Sequence, residues 1–172
     1  MEGTIWLVGM MGAGKTRIGR MLAERLECPF VDADAEIERE AARSIEEIFR
    51  AEGESGFRKR EREVVERLAG RGCVVALGGG AFAQPPLAQL ALRTGRVVYL
   101  RTRPQTLASR VGQGEGRPLL AGLDAKRREE RLRSLLRQRE PFYARAPLVV
   151  DTDEADASAV VERVQAALGG GR

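Results

Sequence analysis

The chain contains no histidine, two cysteines and only 5% aromatic residues in a length of 172. Without imidazole there is no histidine general base, no Ser-His or Cys-His nucleophile pair and no mixed Cys/His metal site. Acid–base work therefore falls to carboxylates. Cys28 and Cys73 stand far apart with no ligand spacing between them, which argues against a disulfide framework or a zinc site and leaves two core thiols. Long apolar runs are also missing. The first one stops at Val8, where glycines interrupt it, so it is too short for a signal peptide or a membrane span, and the expected location is the cytoplasm.

Charge of one sign is not in large excess: 29 lysines and arginines face 25 acids, for a net charge of +4. Arg and Glu alternate along several helical stretches, as they do on solvated helix faces. With few aromatics and no basic stripe carrying stacking partners, neither nucleic acid nor a membrane is an expected partner, and small anionic ligands fit better. The length suits one domain spanning 1–172, and a monomer is expected.

What the chain does have is Gly9-Met10-Met11-Gly12-Ala13-Gly14-Lys15-Thr16, after the apolar run Ile5–Val8 and before a helical pattern from Arg17 to Leu26. Glycines at 9, 12 and 14 allow the main chain to curl so that successive N–H groups face phosphate oxygens. Lys15 adds a point charge on the outer phosphates, Thr16 a hydroxyl for Mg²⁺, and the helix N-terminus a favourable dipole. The lysine is conspicuous because the others are only Lys59 and Lys126. These features make Gly12, Ala13, Gly14, Lys15 and Thr16 a phosphate-binding loop.

Downstream, short apolar runs alternate with helical patterns. Strands are expected at 29–34, 73–77, 97–100 and 147–150, and helices at 35–40, 44–52, 54–68, 86–93, 104–111, 126–140 and 157–168. Ser44 and Glu47 form a capping box, and Phe49 is expected to anchor its helix inward. The alternation calls for an α/β fold with a parallel sheet and right-handed crossovers. The glycine-rich connection at about 112–123 reads as a mobile lid.

In an open parallel sheet, ligands collect at the carboxyl ends of the strands. That rule gathers the phosphate loop, Asp32, Asp34 and Gly78-Gly79-Gly80 on one rim. Either acid could be no more than a helix N-cap, although Asp32 suits the metal near Thr16 and Asp34 could take the proton of an attacking hydroxyl. The glycines would let a ligand pack on the backbone. Arg58, which Glu61 could hold at i,i+3, and Arg139 are ambiguous alone. An anionic acceptor would give both a purpose.

Six segments taken in order, GMMGAGKT, FVDADAEIE, GESGFRKRE, LGGG, GRPLLAG and RQREPFY, resemble the shikimate kinase family. The resemblance implies a three-layer α/β/α P-loop kinase fold with a five-stranded parallel sheet of order 2-3-1-4-5, similar to nucleoside monophosphate kinases. A substrate-binding helical segment would lie at about 34–62. It implies transfer of the γ-phosphate of ATP, with Mg²⁺, to the 3-hydroxyl of shikimate on the route to chorismate and the aromatic amino acids. By position, Lys15 and Thr16 would hold phosphates and Mg²⁺, with Asp32 supporting the metal. Asp34 would bind the substrate hydroxyls as the base, Arg58 and Arg139 would clamp the carboxylate, and Gly79 and Gly80 would line the substrate. Arg117 of the lid would reach the transferring phosphates, and Arg110 would lie along the adenine. Asp151-Thr152-Asp153-Glu154 departs from the pattern, lacking the basic and proline residues that some members place around adenine. The alternatives are a gluconate or nucleoside monophosphate kinase, which shares the loop and sheet, and a nucleotide switch without a small acceptor.

Overall fold

A strand flanked on both sides has no edge for water and reads as a continuous apolar run. Thr4–Val8 is such a run: as β1 it is buried along its whole length at the centre of the sheet. The computed structural model describes residues 3–112, 118–120 and 122–169. Next to β1 lie β3 (Val74–Ala76) and β4 (Gly95–Arg101), with β2 (Phe30–Asp32) and β5 (Leu148–Asp151) at the edges. The order is β2-β3-β1-β4-β5 and every pairing is parallel, as the resemblance implies.

The strand order reverses at β1. Right-handed crossovers therefore put α1 (Lys15–Arg25), which packs with α7 (Ala157–Gly169), on one face. They put α3 (Ile45–Leu68), α4 (Pro85–Thr94) and α6 (Ala125–Tyr143) on the other. Two shorter helices, α2 (Ala33–Ala41) and α5 (Pro104–Arg110), lead from the ends of β2 and β4. Trp6, Tyr99, Tyr143 and Phe82 are the bulkiest side chains wholly inside the core. Cys73 is buried, Cys28 half-buried, and both are free thiols. Among the described residues, no helix is long and apolar enough to cross a membrane.

Several boundaries differ from expectation for local reasons. The strand expected to reach residue 34 stops at Asp32, whose carboxylate accepts from the N–H groups of Asp34 and Ala35 and starts α2 at Ala33. Asp34 thus sits in a helical first turn. The helices expected at 44–52 and 54–68 are one element kinked at Gly53, whose φ of 69° and ψ of −175° lie outside the helical region. The Ser44/Glu47 capping box is present. Phe49 is 37% exposed instead of facing inward, and it stacks on the buried Phe57 across the kink at 4.8 Å. Helix α6 continues past Glu140 to Tyr143 with Pro141 in its last turn, which places Arg139 and Tyr143 one turn apart on one face.

The β1–β4 register makes a strong demand at one residue. Gly95 pairs with Thr4, and a Cβ there would lie 1.8 Å from the Thr4 carbonyl oxygen. That neighbour is main chain and cannot swing away. Gly95→Ala is expected to destabilise the fold by about 2–3 kcal/mol or more, as overpacking against a rigid neighbour does. A wild-type denaturant midpoint in that variant would mean that the two strands pair in another register.

Candidate active site

Helix N-termini expose N–H groups that have no partner within the helix. In α2, α3 and α6 side chains answer them: Asp32, Ser44 and Asp124 each accept from the first turn. Helix α1 has no such cap. Its N-cap is Gly14 in the left-handed region at φ 92°, its first turn holds no acid, and Gly12 precedes it at φ 84°. The loop is seated by Gly9, where a Cβ would come within 2.7 Å of the Leu100 carbonyl oxygen at the end of β4. An uncapped helix start with a lysine as first residue is an anion site. The Lys15 ammonium is folded over this loop, donating to the Gly9 carbonyl at 2.9 Å and the Met10 carbonyl at 3.1 Å. Ala13 is buried beneath.

One residue further, Thr16 Oγ1 donates to Asp32 Oδ2 at 2.6 Å. The other Asp32 oxygen caps α2, so the capping and the site readings of this acid hold together. Two hard oxygens converge beside the phosphate loop, a donor set that suits Mg²⁺ when phosphates and water complete its shell. Among the described residues there is no group of three or more Cys, Asp or Glu side chains able to hold a metal by themselves.

Across the rim, β3 is followed after Leu77 by Gly78-Gly79-Gly80, and charged groups rest directly on this strip. A Cβ on Gly78 would lie 2.6 Å from Asp34 Oδ1 and 3.1 Å from Glu61 Oε1. One on Gly79 would lie 3.0 Å from Arg139 Nη1, and one on Gly80 3.0 Å from Arg58 Nη2. Asp34, Arg58 and Arg139, read from three separate segments, therefore share one surface. Arg58 Nη1 donates to Glu61 Oε2 at 2.8 Å, and its other nitrogens reach the exposed Glu54. Glu61 is buried and also accepts from Gln84 Nε2 at 2.5 Å. Two carboxylate oxygens, Asp34 Oδ1 and Glu61 Oε1, are buried with no hydrogen-bond partner. That burial, with Asp32 nearby, pushes the Asp34 carboxyl up to about 6, against the opposing pull of Lys15.

Arg110 points its guanidinium at the segment after β5, donating to Thr152 Oγ1 at 2.9 Å and the Thr152 carbonyl at 2.7 Å. Arg117 and half of the expected lid, residues 113–117 and 121, fall outside the described residues. A separate cavity of about 340 Å³, lined by Arg101, Arg103, Arg133, Leu136 and Asp153 among others, contains none of the phosphate-loop or glycine-strip residues. Gln84, Met10 and Tyr143 were not legible as site residues. Only Tyr143 had a signal, its helical spacing from Arg139.

An uncapped, lysine-headed helix start after the central strand of a 2-3-1-4-5 parallel sheet defines a P-loop kinase-type fold. The family model for shikimate kinase matches residues 11–169. A shikimate kinase of Symbiobacterium thermophilum is 49% identical, covering 93% of this chain and 92% of its own. One of Moorella thermoacetica is 43% identical over 98% of this chain and 95% of its own. The solved shikimate kinase of Acinetobacter baumannii in complex with shikimate is 40% identical and superposes with a TM-score of 0.91 over 98% of this chain and 94% of its own. The chain belongs to the shikimate kinase family.

The unpartnered Asp34 has a consequence for stability. Its folded-state value of about 6 exceeds the ordinary 3.8, so between those values the folded chain keeps a proton that the unfolded chain has lost. Stability of the ligand-free, metal-free protein then falls as pH rises through this window, and the penalty is complete above about 6. It amounts to about 2–3 kcal/mol against the charged form. Asp34→Asn should therefore raise the melting temperature by several degrees at pH 7.5 and by clearly less at pH 5, while removing activity. An equal change at both pH values would show that ionisation of Asp34 is not the cause.

Proposed function

We propose that this chain transfers the γ-phosphate of ATP to the 3-hydroxyl of shikimate, giving 3-phosphoshikimate and ADP on the route to chorismate and the aromatic amino acids. The observation that supports it best is the glycine strip, where an acid and two guanidinium groups meet beside an uncapped phosphate loop. An acceptor that fits must carry an anionic end for the arginines and a hydroxyl for Asp34. Shikimate has both.

Phosphoryl transfer passes through a loose transition state, so the protein's work is positioning and charge neutralisation. In our reading Arg58 and Arg139 seat the carboxylate with paired charge-assisted bonds, the Gly79 and Gly80 backbone lies under the ring, and the hydroxyl points at Asp34. A carboxyl with a value near 6 is suited to accept that hydroxyl's proton as the new O–P bond forms. The amides from Gly12 to Thr16 hold the phosphates, and Lys15 exchanges its carbonyl partners for the migrating group. Thr16 and Asp32 would hold Mg²⁺, which screens the charge of the phosphate chain. Arg110, fixed by Thr152, is assigned to the adenine, and Arg117 to the transferring phosphates when the lid closes and excludes water. The reading includes a monomer working in the cytoplasm.

Gluconate shares the carboxylate and hydroxyls of the proposed acceptor, whereas nucleoside monophosphates offer a phosphate. Coupled ADP release over shikimate, gluconate, AMP and CMP should show turnover with shikimate far above the rest. Turnover confined to the two nucleotides would overturn the reading, and ADP formation independent of any acceptor would point to a nucleotide switch.

Two substitutions separate the halves of the site. Lys15→Met should abolish turnover while leaving shikimate binding near wild type. Arg58→Ala should weaken shikimate by about 2–5 kcal/mol, because it also strands the buried Glu61. Calorimetric titration with shikimate measures both, and undiminished affinity in Arg58→Ala would place the carboxylate elsewhere.

A further inference from the structure

The two arginines on the glycine strip are held in different ways. Arg58 is paired with the buried Glu61 at 2.8 Å and with Glu54 at 3.3 Å, so its direction is set and its charge largely answered before any ligand arrives. Arg139 has no carboxylate partner among the described residues. Its Nη1 lies 3.9 Å from Met10 Sδ and close over Gly79. A guanidinium on a long, rotatable stem needs something to aim it.

Tyr143 occupies that position. It lies one turn after Arg139 on α6, is completely buried, and its ring packs against Tyr99 at 5.1 Å between centroids. Tyr99 in turn donates to Glu140 Oε2 at 2.6 Å, locking the last turn of α6 to β4. The Tyr143 hydroxyl donates to the Gly79 carbonyl and sits 3.7 Å from Met10 Sδ, the sulfur that also lies 3.9 Å from Arg139 Nη1. One phenol oxygen thus touches the strip and the Met10 side chain, and Arg139 Nη1 rests on the same two residues. Burial pushes this phenol up to about 12, so it remains a neutral donor and acceptor throughout the working pH range.

We propose that Tyr143, supported by the Met10 sulfur, is the positioning residue of the acceptor clamp, aiming Arg139 at the carboxylate and fixing the Gly79 peptide beneath it. It does for Arg139 what Glu61 does for Arg58, but with a neutral group, so that the Arg139 charge stays available to the ligand. A carboxylate in the Tyr143 position would aim the guanidinium equally well and would cancel the attraction. Met10 links the clamp to the phosphate loop through the same residue whose carbonyl holds Lys15.

This inference rests on the shikimate reading, and steady-state kinetics tests it. Tyr143→Phe keeps the ring packing and removes only the hydroxyl. It should raise the shikimate KM about five- to twenty-fold, as loss of a buried hydrogen bond to an aligned group does, with kcat and the ATP KM within about two-fold of wild type. Met10→Leu keeps the side-chain volume while removing the sulfur, and should raise the same KM about two- to five-fold. Should Tyr143→Phe fold poorly, the Met10 variant carries the test. An unchanged shikimate KM in a folded Tyr143→Phe overturns the proposal, as does a parallel loss in kcat and both KM values, which marks general disorder. No shikimate-dependent ADP formation by the wild-type chain would overturn both this inference and the function on which it rests. Normal wild-type turnover with an indifferent Tyr143→Phe would overturn this inference alone.

Discussion

Three successive residues without side chains follow β3, and charged groups lie close over them: a Cβ would come within 2.6 Å of Asp34 Oδ1 at Gly78 and within 3.0 Å of an arginine nitrogen at Gly79 and Gly80. This close approach brings together α2, α3 and α6, the helices that carry Asp34, Glu61 with Arg58, and Arg139. Side chains on the strip would push these groups outward, away from the shared surface. The strip also separates them. Asp34 and Glu61 lie over Gly78, Arg139 over Gly79 and Arg58 over Gly80, so the acid is not consumed in an ion pair with either arginine.

Several local rules are broken together at this rim. Helix α1 starts without a cap while α2, α3 and α6 are capped, two carboxylate oxygens are buried without partners, and Arg139 lacks a counter-charge among the described residues. Each costs stability by itself, through unanswered N–H groups or a desolvated charge. In the proposed reading the departures are complementary: exposed donors for the phosphates, an acceptor for the hydroxyl and a cation for the carboxylate. Natural chains concentrate such violations at functional sites, and a ligand with those three groups would answer the α1 N–H groups, Asp34 and Arg139.

How far the sequence revealed this follows from the range over which each signal acts. The loop from Gly9 to Thr16 is local, eight contiguous residues whose glycines and lysine have separate stereochemical reasons, and it leads from β1 into α1 with Gly9, Gly12 and Gly14 at positive φ. The sheet followed from the alternation of apolar runs with helical patterns, and its strand order from resemblance. Asp34 was recognised as a candidate but misplaced on a strand, because nothing in FVDAD says that Asp32 will turn its carboxylate onto the next N–H groups and start a helix there. Phe49 fits the inward stripe of its helix, yet the kink at Gly53 rotates that stripe and leaves the ring against Phe57 near the surface. Glu61 was legible as a partner for Arg58 at i,i+3. Its burial and its bond to Gln84 were not, because they depend on how α3 meets the segment before α4.

The difference between the two arginines shows why pairing and positioning should be kept distinct. A guanidinium bound to a buried carboxylate is well aimed but has already spent much of its attraction, so Arg58 offers direction and hydrogen bonds more than charge. A guanidinium aimed by a phenol and a thioether keeps its charge, but only a rigid support fixes its direction. The Tyr99–Tyr143 contact and the Tyr99–Glu140 bond supply that support from within the core, where side chains hold a single arrangement. In the proposed clamp an acceptor carboxylate meets one partner that orients it and another that attracts it. Arg139 is the one anchored through Met10 to the loop before α1, so the proposed acceptor and nucleotide sites would share one fixed frame. Transfer between them requires in-line alignment, and a frame built from buried side chains supplies it without relying on the mobile end of a long arginine.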